Sequence, residues 1–156
     1  MKKIMVVTTN RELYSAIKVC VESVPDLYTS LFLYNKHSFG KKIYEYVVHR
    51  KKVQDMWDIK KTSLIIIDYW FPETATTAFE EIHWLLQLKE EIKGFILPKI
   101  ILVSTADKET ILEGLFYYRK QSWKGNEIGL VDFFKKIIYF ENMSIELVDE
   151  VLNNRE

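Results

Sequence analysis

The sequence has little of three things that commonly indicate where a protein works: cysteine, unbalanced charge and long apolar runs. Its one cysteine, Cys20, cannot form an internal disulfide, which is typical of a reducing compartment. Lysine plus arginine and aspartate plus glutamate both number 22, so the charge favours neither nucleic acid nor an anionic membrane as a partner. No apolar run approaches the roughly 20 residues of a membrane span. We therefore expect a soluble, cytoplasmic protein.

The sequence motifs of several enzyme classes are also missing. The five glycines form no Gly-x-Gly-x-x-Gly fingerprint, no phosphate-binding loop and no Gly-x-Ser-x-Gly elbow. His37, His49 and His83 show no metal-ligand spacing relative to one another or to Cys20. The sequence therefore predicts no hydrolase, nucleotide enzyme or zinc enzyme. We expect no catalytic residue, no metal site and no cofactor.

What the sequence does contain is a short apolar run that ends at a carboxylate. The run Leu64-Ile65-Ile66-Ile67 has no polar alternation, which predicts a strand covered by helices on both faces. Asp68 follows it, at the carboxyl end of a strand, where open α/β sheets hold their ligands. Pro72 is expected to stop the chain from continuing in the sheet. Asp68 is therefore either a functional group or a carboxylate that caps the following loop.

Apolar runs and helical spacings alternate along the chain. Strands are predicted at residues 3–7, 27–34, 64–67 and 99–105. Helices are predicted at residues 13–24, 38–58, 77–92, 111–115, 130–138 and 144–152. Residues 116–120 suit either a continued helix or a fifth strand. This alternation predicts one α/β domain, residues 1–156, in which helices cover both faces of a parallel sheet.

Two helix starts have a recognisable capping pattern. Thr9 and Glu12 form a Thr-x-x-Glu capping box, which predicts Thr9 as the N-cap of the first helix. Thr77 and Glu80 form a second box, and Gly94 is expected to end the helix that starts there.

Polar residues follow several of the predicted strands at the point where each strand ends. Because the carboxyl ends of parallel strands meet at one edge of a sheet, these side chains are expected to lie close together. The residues expected there are Thr8, Thr9, Asp68, Ser104 and Thr105, joined by Lys120 if residues 116–120 form a strand.

This layout resembles the receiver domain of bacterial response regulators, a doubly wound, flavodoxin-like fold of five βα units. The run from Asp68 to Pro72 is similar to the phosphoacceptor motif of that family, an aspartate at the end of strand three with a proline four residues later. Thr105, followed by Ala106, resembles the switch hydroxyl of strand four, and Ser104 is its neighbour. Tyr117 and Lys120 resemble the switch aromatic and the lysine of strand five.

The resemblance implies a five-stranded parallel sheet of order 2-1-3-4-5, here with an extra C-terminal helix. It also implies signalling in a two-component or phosphorelay setting, with Asp68 as the phosphoacceptor candidate. Thr105, Ser104, Lys120 and Tyr117 are the candidates for contacts with the phosphoryl group.

The sequence departs from the family pattern at the metal site. Receivers have an acidic pair after strand one that holds magnesium, and here those positions are Thr8 and Thr9. Neutral hydroxyls are poor ligands for this cation, so magnesium is expected only if Asp68 is phosphorylated. Gln121 also stands where the family has a proline after its lysine. These departures are typical of a degenerate pseudo-receiver that acts through protein–protein interaction.

Three other functions remain open on the sequence. In the first, Asp68 is a genuine phosphoacceptor for a histidine kinase. In the second, the edge of the sheet binds a small or nucleotide-like ligand, and in the third the chain is a structural subunit whose aromatic loop docks a partner. Thr105 likewise suits a helix cap as well as a switch.

The aromatic residues Trp70 and Phe71 lie on the loop after Asp68. If exposed they are candidates for a partner surface, because aromatic side chains anchor protein interfaces. The alternative is that both pack against the following helix. The expected partner is a histidine kinase, another signalling protein or a second copy of the chain, with no nucleic acid and no membrane.

Overall fold

Strands and helices alternate through the described parts of the chain. The computed structural model describes residues 2–24, 27–32, 39–49, 62–94, 98–104, 109–111, 113–114 and 137–139. The elements are β1 (Lys2–Val7), α1 (Arg11–Glu22), β2 (Leu27–Phe32), α2 (Phe39–His49), β3 (Thr62–Asp68), β4 (Trp70–Phe71), β5 (Thr76–Thr77), α3 (Ala78–Glu91), β6 (Lys99–Ser104) and β7 (Ile137–Tyr139). Residues 109–111 and 113–114 are also helical. None of the helices in these ranges is long and apolar enough to span a bilayer.

Five of the strands form one parallel sheet in the order β2-β1-β3-β6-β7. Counted along the chain, β1, β2, β3, β6 and β7 are the first to fifth strands of this sheet. Their order in space is therefore 2-1-3-4-5, which confirms the predicted order. β3 is central because β1 pairs with one of its edges and β6 with the other.

The sheet is covered by helices on both faces, as the apolar run in β3 predicts. Successive residues of a strand point to opposite faces. Ile65 and Ile67 belong to the apolar cluster that includes residues of α2 and α3, whereas Leu64 and Ile66 belong to the cluster that includes α1. All four side chains are between 0% and 1% exposed, and burying each contributes about 1.5–3 kcal/mol.

The fifth strand of the sheet is not where the sequence patterns place it. Ile137–Tyr139 pairs in parallel with β6, with Leu102 opposite Ile137, whereas its apolar spacing predicted a helix over 130–138. A run of β-branched and aromatic residues suits a strand when a neighbouring edge is available, and this pairing outweighs the local spacing. Residues 116–120, the other possibility for strand five, lie outside the described residues, as does the predicted C-terminal helix.

The remaining predicted elements agree with the structure over the residues that it describes, except that α3 ends at Glu91, with Ile92 as its C-cap, and not at Gly94. β2 and α2 correspond to the first parts of the predicted ranges 27–34 and 38–58, and residues 33–38 and 50–61 lie outside the described residues. After Asp68 the sheet stops, and β4 and β5 form a separate antiparallel ribbon around Pro72.

The second predicted capping box is confirmed and the first is wrong. Thr77 is the N-cap of α3, and its backbone N–H donates to Glu80 Oε2 over 2.9 Å. At α1 the N-cap is Asn10, whose Oδ1 accepts from the backbone N–H groups of Glu12 and Leu13 at 3.0 and 3.1 Å. Asparagine is at least as good an N-cap as threonine. The Thr-x-x-Glu pattern alone therefore does not decide whether Thr9 or Asn10 caps the helix.

α2 and α3 approach closely where α2 begins. The Gly40 backbone N–H donates to the buried carboxylate of Glu81, with 3.2 Å between N and Oε2. A Cβ atom at Gly40 would overlap the backbone carbonyl oxygen of Glu81, so this contact requires glycine.

We expect Gly40→Ala to lower the free energy of unfolding by about 1–3 kcal/mol, because the added methyl group forces the two helices apart. Urea denaturation would measure the loss. Lys41→Ala, at the exposed next position, is the matched control and should change stability by less than about 0.5 kcal/mol. Equal effects of the two substitutions would contradict this contact.

Candidate functional site

The carboxyl edge of the sheet brings the end of β1 beside the end of β3. Val7 pairs with Ile67, so Thr8 and Asp68, the next residue on each strand, lie side by side. On the other side of β3, Asp68 itself pairs with Val103, which places the end of β6 at the same edge. The predicted convergence of strands one, three and four is therefore confirmed at the level of the backbone.

Thr8 and Asp68 are joined by a hydrogen bond. The Thr8 hydroxyl donates to Asp68 Oδ2 over 2.9 Å, and it accepts from the backbone N–H of Asn10 over 3.0 Å. The Thr8 side chain is buried, at 1% exposure, whereas Asp68 is half-buried. One hydroxyl thus connects the ends of β1 and β3 to the residue that caps α1.

The second carboxylate oxygen of Asp68 is bound within its own loop. The backbone N–H of Tyr69 donates to Asp68 Oδ1 over 2.8 Å. Burial raises the pKa of Asp68 above its ordinary value, and hydrogen bonds from the Thr8 hydroxyl and the Tyr69 and Trp70 backbones lower that pKa only in part. The site therefore disfavours negative charge on Asp68.

This arrangement does not suit a magnesium ion held in the way that the resemblance implies. Among the described residues, no group of three or more histidine, cysteine, aspartate or glutamate side chains is placed to hold a metal. The hydroxyl of Thr8 already donates to Asp68 and accepts from Asn10. A hard dication prefers carboxylates to such a hydroxyl, so these residues do not fit a magnesium ion.

The other predicted site residues are placed only in part. Ser104 is the last residue of β6, and its pairing partner in β7 is Tyr139. Thr9 is half-buried, next to Thr8. Thr105, Tyr117 and Lys120 lie outside the described residues. The described strand beside β6 is Ile137–Tyr139.

The two aromatic residues predicted as a partner surface point in opposite directions. Trp70 is 48% exposed, whereas Phe71 is fully buried among the core residues, so the prediction is wrong for Phe71. The reason is strand alternation, since both residues lie in β4 and neighbours on a strand face opposite sides.

Tyr69 is a residue of this site that the sequence analysis missed. Its side chain is 7% exposed, and its ring lies edge-on to that of Phe79, with 5.8 Å between the centroids. Its hydroxyl lies 3.4 Å from the carbonyl oxygen of Thr110. A Cβ at Gly114 would overlap that hydroxyl. No local pattern indicates this contact, because Tyr69 and Thr110 are 41 residues apart.

Comparison with known proteins identifies the fold. No family model and no curated protein matches the sequence. Among solved structures, a DNA-binding response regulator of the LuxR family from Staphylococcus aureus has 15% identity and a TM-score of 0.58, covering 100% of both chains. The response regulator domain of Thermotoga maritima CheB has 14% identity and a TM-score of 0.57, covering 99% of this chain and 96% of that one.

A third similar structure is that of a protein described as a pilus assembly protein from Burkholderia thailandensis. It has 13% identity and a TM-score of 0.58, covering 99% of this chain and 98% of that one. The chain therefore has the flavodoxin-like receiver fold, with Asp68 at the end of the third strand of the sheet.

We expect Asp68→Asn to stabilise the protein more at neutral than at acid pH. A raised folded-state pKa means that Asp68 contributes stability below its unfolded pKa and that this contribution is lost as the pH rises through the folded pKa. Asparagine stays neutral, so the free energy of unfolding of the variant should increase relative to the wild type between about pH 4 and about pH 7. Urea denaturation across this range would measure it, with the exposed Glu73→Gln as a control for the loss of one charge. A difference that stays constant with pH would contradict the raised pKa.

Thr8→Val should lower the free energy of unfolding by about 1–2 kcal/mol, because Asp68 Oδ2 and the Asn10 N–H each lose a partner. Valine keeps the shape of the side chain, so the loss reports mainly on the hydroxyl. The same substitution at the next residue, Thr9→Val, is the matched control and should lower the free energy of unfolding by a smaller amount. Chemical denaturation of both variants would test the difference, and equal losses would show that the Thr8 hydroxyl has no special part in the site.

Proposed function

We propose that this chain is an atypical receiver-like signalling domain, spanning residues 1–156, that acts through protein–protein contact and does not depend on phosphorylation of Asp68. The observation on which this proposal depends is the hydrogen bond from the buried Thr8 hydroxyl to Asp68 Oδ2. The receiver fold supports the signalling role, and a two-component or phosphorelay pathway is the proposed setting.

The electrostatics of the site favour a neutral or singly charged Asp68 over a phosphorylated one. An acyl phosphate adds negative charge, which needs a cation or well-placed donors to balance it. Burial already disfavours the ionised carboxylate, and the positions after β1 hold the neutral residues Thr8 and Thr9. Without an acidic pair there is no strong ligand set to bring a divalent cation to this place.

The same hydrogen bonds give the edge of the sheet a fixed structure without a metal. The Thr8 hydroxyl links Asp68 to the N-cap of α1, and the Tyr69 N–H holds the other oxygen of Asp68. In this proposal the carboxylate is a structural acceptor, and the surface around it forms without phosphorylation or a metal.

Trp70 is the proposed contact residue for that partner. It is 48% exposed on the β4–β5 ribbon, which begins two residues after Asp68. A tryptophan supplies a large contact area with few torsions to order, which is why it is enriched among interface anchors. The proposed partner is a histidine kinase, another signalling protein or a second copy of the chain. The balanced charge is the reason for proposing no nucleic acid.

One observation favours a second function, the genuine phosphoacceptor. Asp68 lies at the carboxyl edge of the sheet and is only half-buried, so a phosphoryl donor has a route to the carboxylate. Transfer would form a bond between a carboxylate oxygen and phosphorus and would release the donor's leaving group. It would require the Thr8 hydroxyl to give up its bond to Oδ2 or the reaction to occur at Oδ1.

Incubation with acetyl phosphate and magnesium, followed by measurement of the intact mass, separates the two functions. We expect no mass gain for the wild type. The double variant Thr8→Asp/Thr9→Asp, which supplies the missing acidic pair, should gain one phosphoryl group, and adding Asp68→Asn to it should abolish the gain. Circular dichroism would confirm that each variant is folded.

A phosphoryl gain in the wild type that Asp68→Asn removes would overturn the proposal and establish Asp68 as a phosphoacceptor. No gain in a folded double variant would contradict the view that the threonine pair is what prevents the reaction.

A further inference from the structure

Tyr69 contacts both the carboxylate at the edge of the sheet and a helical segment farther along the chain. We propose that Tyr69 is a positioning residue that couples the state of Asp68 to residues 109–111 and 113–114, called the 109–114 segment below. The proposal deepens the proposed function, on which it rests in treating the Asp68 edge as the signalling site.

The backbone of Tyr69 joins Asp68 to the beginning of α3. Its N–H donates to Asp68 Oδ1 over 2.8 Å, and its carbonyl oxygen accepts from the Ala78 N–H over 2.8 Å. A change in the charge or the covalent state of Asp68 alters the first of these bonds, because a hydrogen bond to a charged acceptor is stronger than one to a neutral acceptor. The backbone of Tyr69 is therefore directly affected by a change at Asp68.

The side chain of Tyr69 extends this connection to the 109–114 segment. Its buried ring packs edge-on against Phe79 of α3, so the ring and α3 are in direct contact. The hydroxyl reaches the carbonyl oxygen of Thr110, and the missing Cβ of Gly114 leaves room for it. An aromatic side chain has only two torsions, so a shift of its backbone moves the hydroxyl as well.

The contact between the Tyr69 hydroxyl and the Thr110 carbonyl oxygen is weak enough to allow the 109–114 segment to move. A distance of 3.4 Å is long for an O–H···O hydrogen bond, so the contact with Thr110 is weak. Burial and the negative charges of Glu80 and Glu113 raise the pKa of Tyr69, so its hydroxyl remains a donor at neutral pH. The 109–114 segment is thus positioned by packing around the Tyr69 hydroxyl more than by the hydrogen bond to Thr110.

The surface that this coupling reaches is polar and acidic. Glu109, Thr110 and Glu113 are exposed, whereas Ile111 between them is buried at 1% exposure. A displacement of the segment changes how these exposed groups are presented to a partner, while Ile111 keeps the segment on the core.

The test compares amide chemical shifts in four proteins by ¹H–¹⁵N spectroscopy: wild type, Asp68→Asn, Tyr69→Phe and the double variant. Asp68→Asn should shift the amides of Thr110, Ile111 and Gly114. In the Tyr69→Phe background, which keeps the ring and removes the hydroxyl, the same substitution should shift them by about half as much or less, because coupled residues are not additive. Free energies of unfolding of the four proteins would give the matching coupling in a double-mutant cycle.

Two further variants separate coupling from packing. Tyr44→Phe removes the hydroxyl that bonds Glu91, between α2 and α3, and it should leave the response of the 109–114 segment to Asp68→Asn unchanged. Gly114→Ala displaces the Tyr69 hydroxyl and should weaken the response as Tyr69→Phe does. If Gly114→Ala fails to fold, the comparison based on Tyr69→Phe still decides the question.

An equal response in the Tyr69 and Tyr69→Phe backgrounds, or no response of the segment to Asp68→Asn, would overturn the coupling and leave Tyr69 as a core residue. These outcomes are independent of the acetyl phosphate experiment. A phosphoryl gain there would overturn the proposed function while leaving the coupling between Asp68 and the segment standing.

Discussion

Burial of β3 on both faces is the constraint on which the rest of this structure depends. Its four central residues are almost fully excluded from water, and alternate ones pack toward α1 and toward α2 and α3. A strand covered in this way has no place for a charge, since burying an unpaired carboxylate is costly. Asp68 therefore marks the point at which β3 leaves the core, and the carboxyl edge of the sheet becomes the place where polar groups gather.

At that edge a neutral hydroxyl takes the place of charged groups. Thr8 uses its donor on Asp68 and its acceptor on the Asn10 backbone, which ties β1, β3 and the start of α1 together. A carboxylate at Thr8 would place two negative charges side by side and would need a cation between them. With threonine, the same backbone geometry is stable by itself. A fold is thus compatible with a changed chemistry at its site, because the backbone and the site depend on different residues.

The loop after Asp68 divides its three aromatic residues between separate tasks. Tyr69 is directed toward the 109–114 segment, Trp70 toward solvent and Phe71 into the core. The short ribbon of β4 and β5 enforces this division, because a strand presents successive residues on opposite faces. The ribbon also returns the chain to Thr77, where α3 begins. The residues around Asp68 are therefore held by the sheet, by α3 and by the ribbon together.

Local patterns predicted the parts of the fold in which neighbouring residues decide the outcome. The unbroken apolar run of β3, the alternation of strands with helices and the Thr77–Glu80 box each depend on residues close in sequence. They failed in two places for different reasons. Ile137–Tyr139 has helical spacing but pairs with β6, a neighbour that is distant in sequence. The first helix is capped by Asn10 although Thr9 matches the capping box, because both residue types are good N-caps.

At the site, too, some features follow from the local sequence and others from tertiary contacts. The sequence by itself determined that Asp68 would lie at the end of a buried strand and that Thr8 would follow the strand preceding the first helix, since apolar runs and their polar ends are local features. Only the tertiary structure decided that the Thr8 hydroxyl binds Asp68 and that Tyr69 contacts Thr110. These contacts join residues 60 and 41 positions apart, and they depend on the register of the parallel strands and on the packing of the following helices.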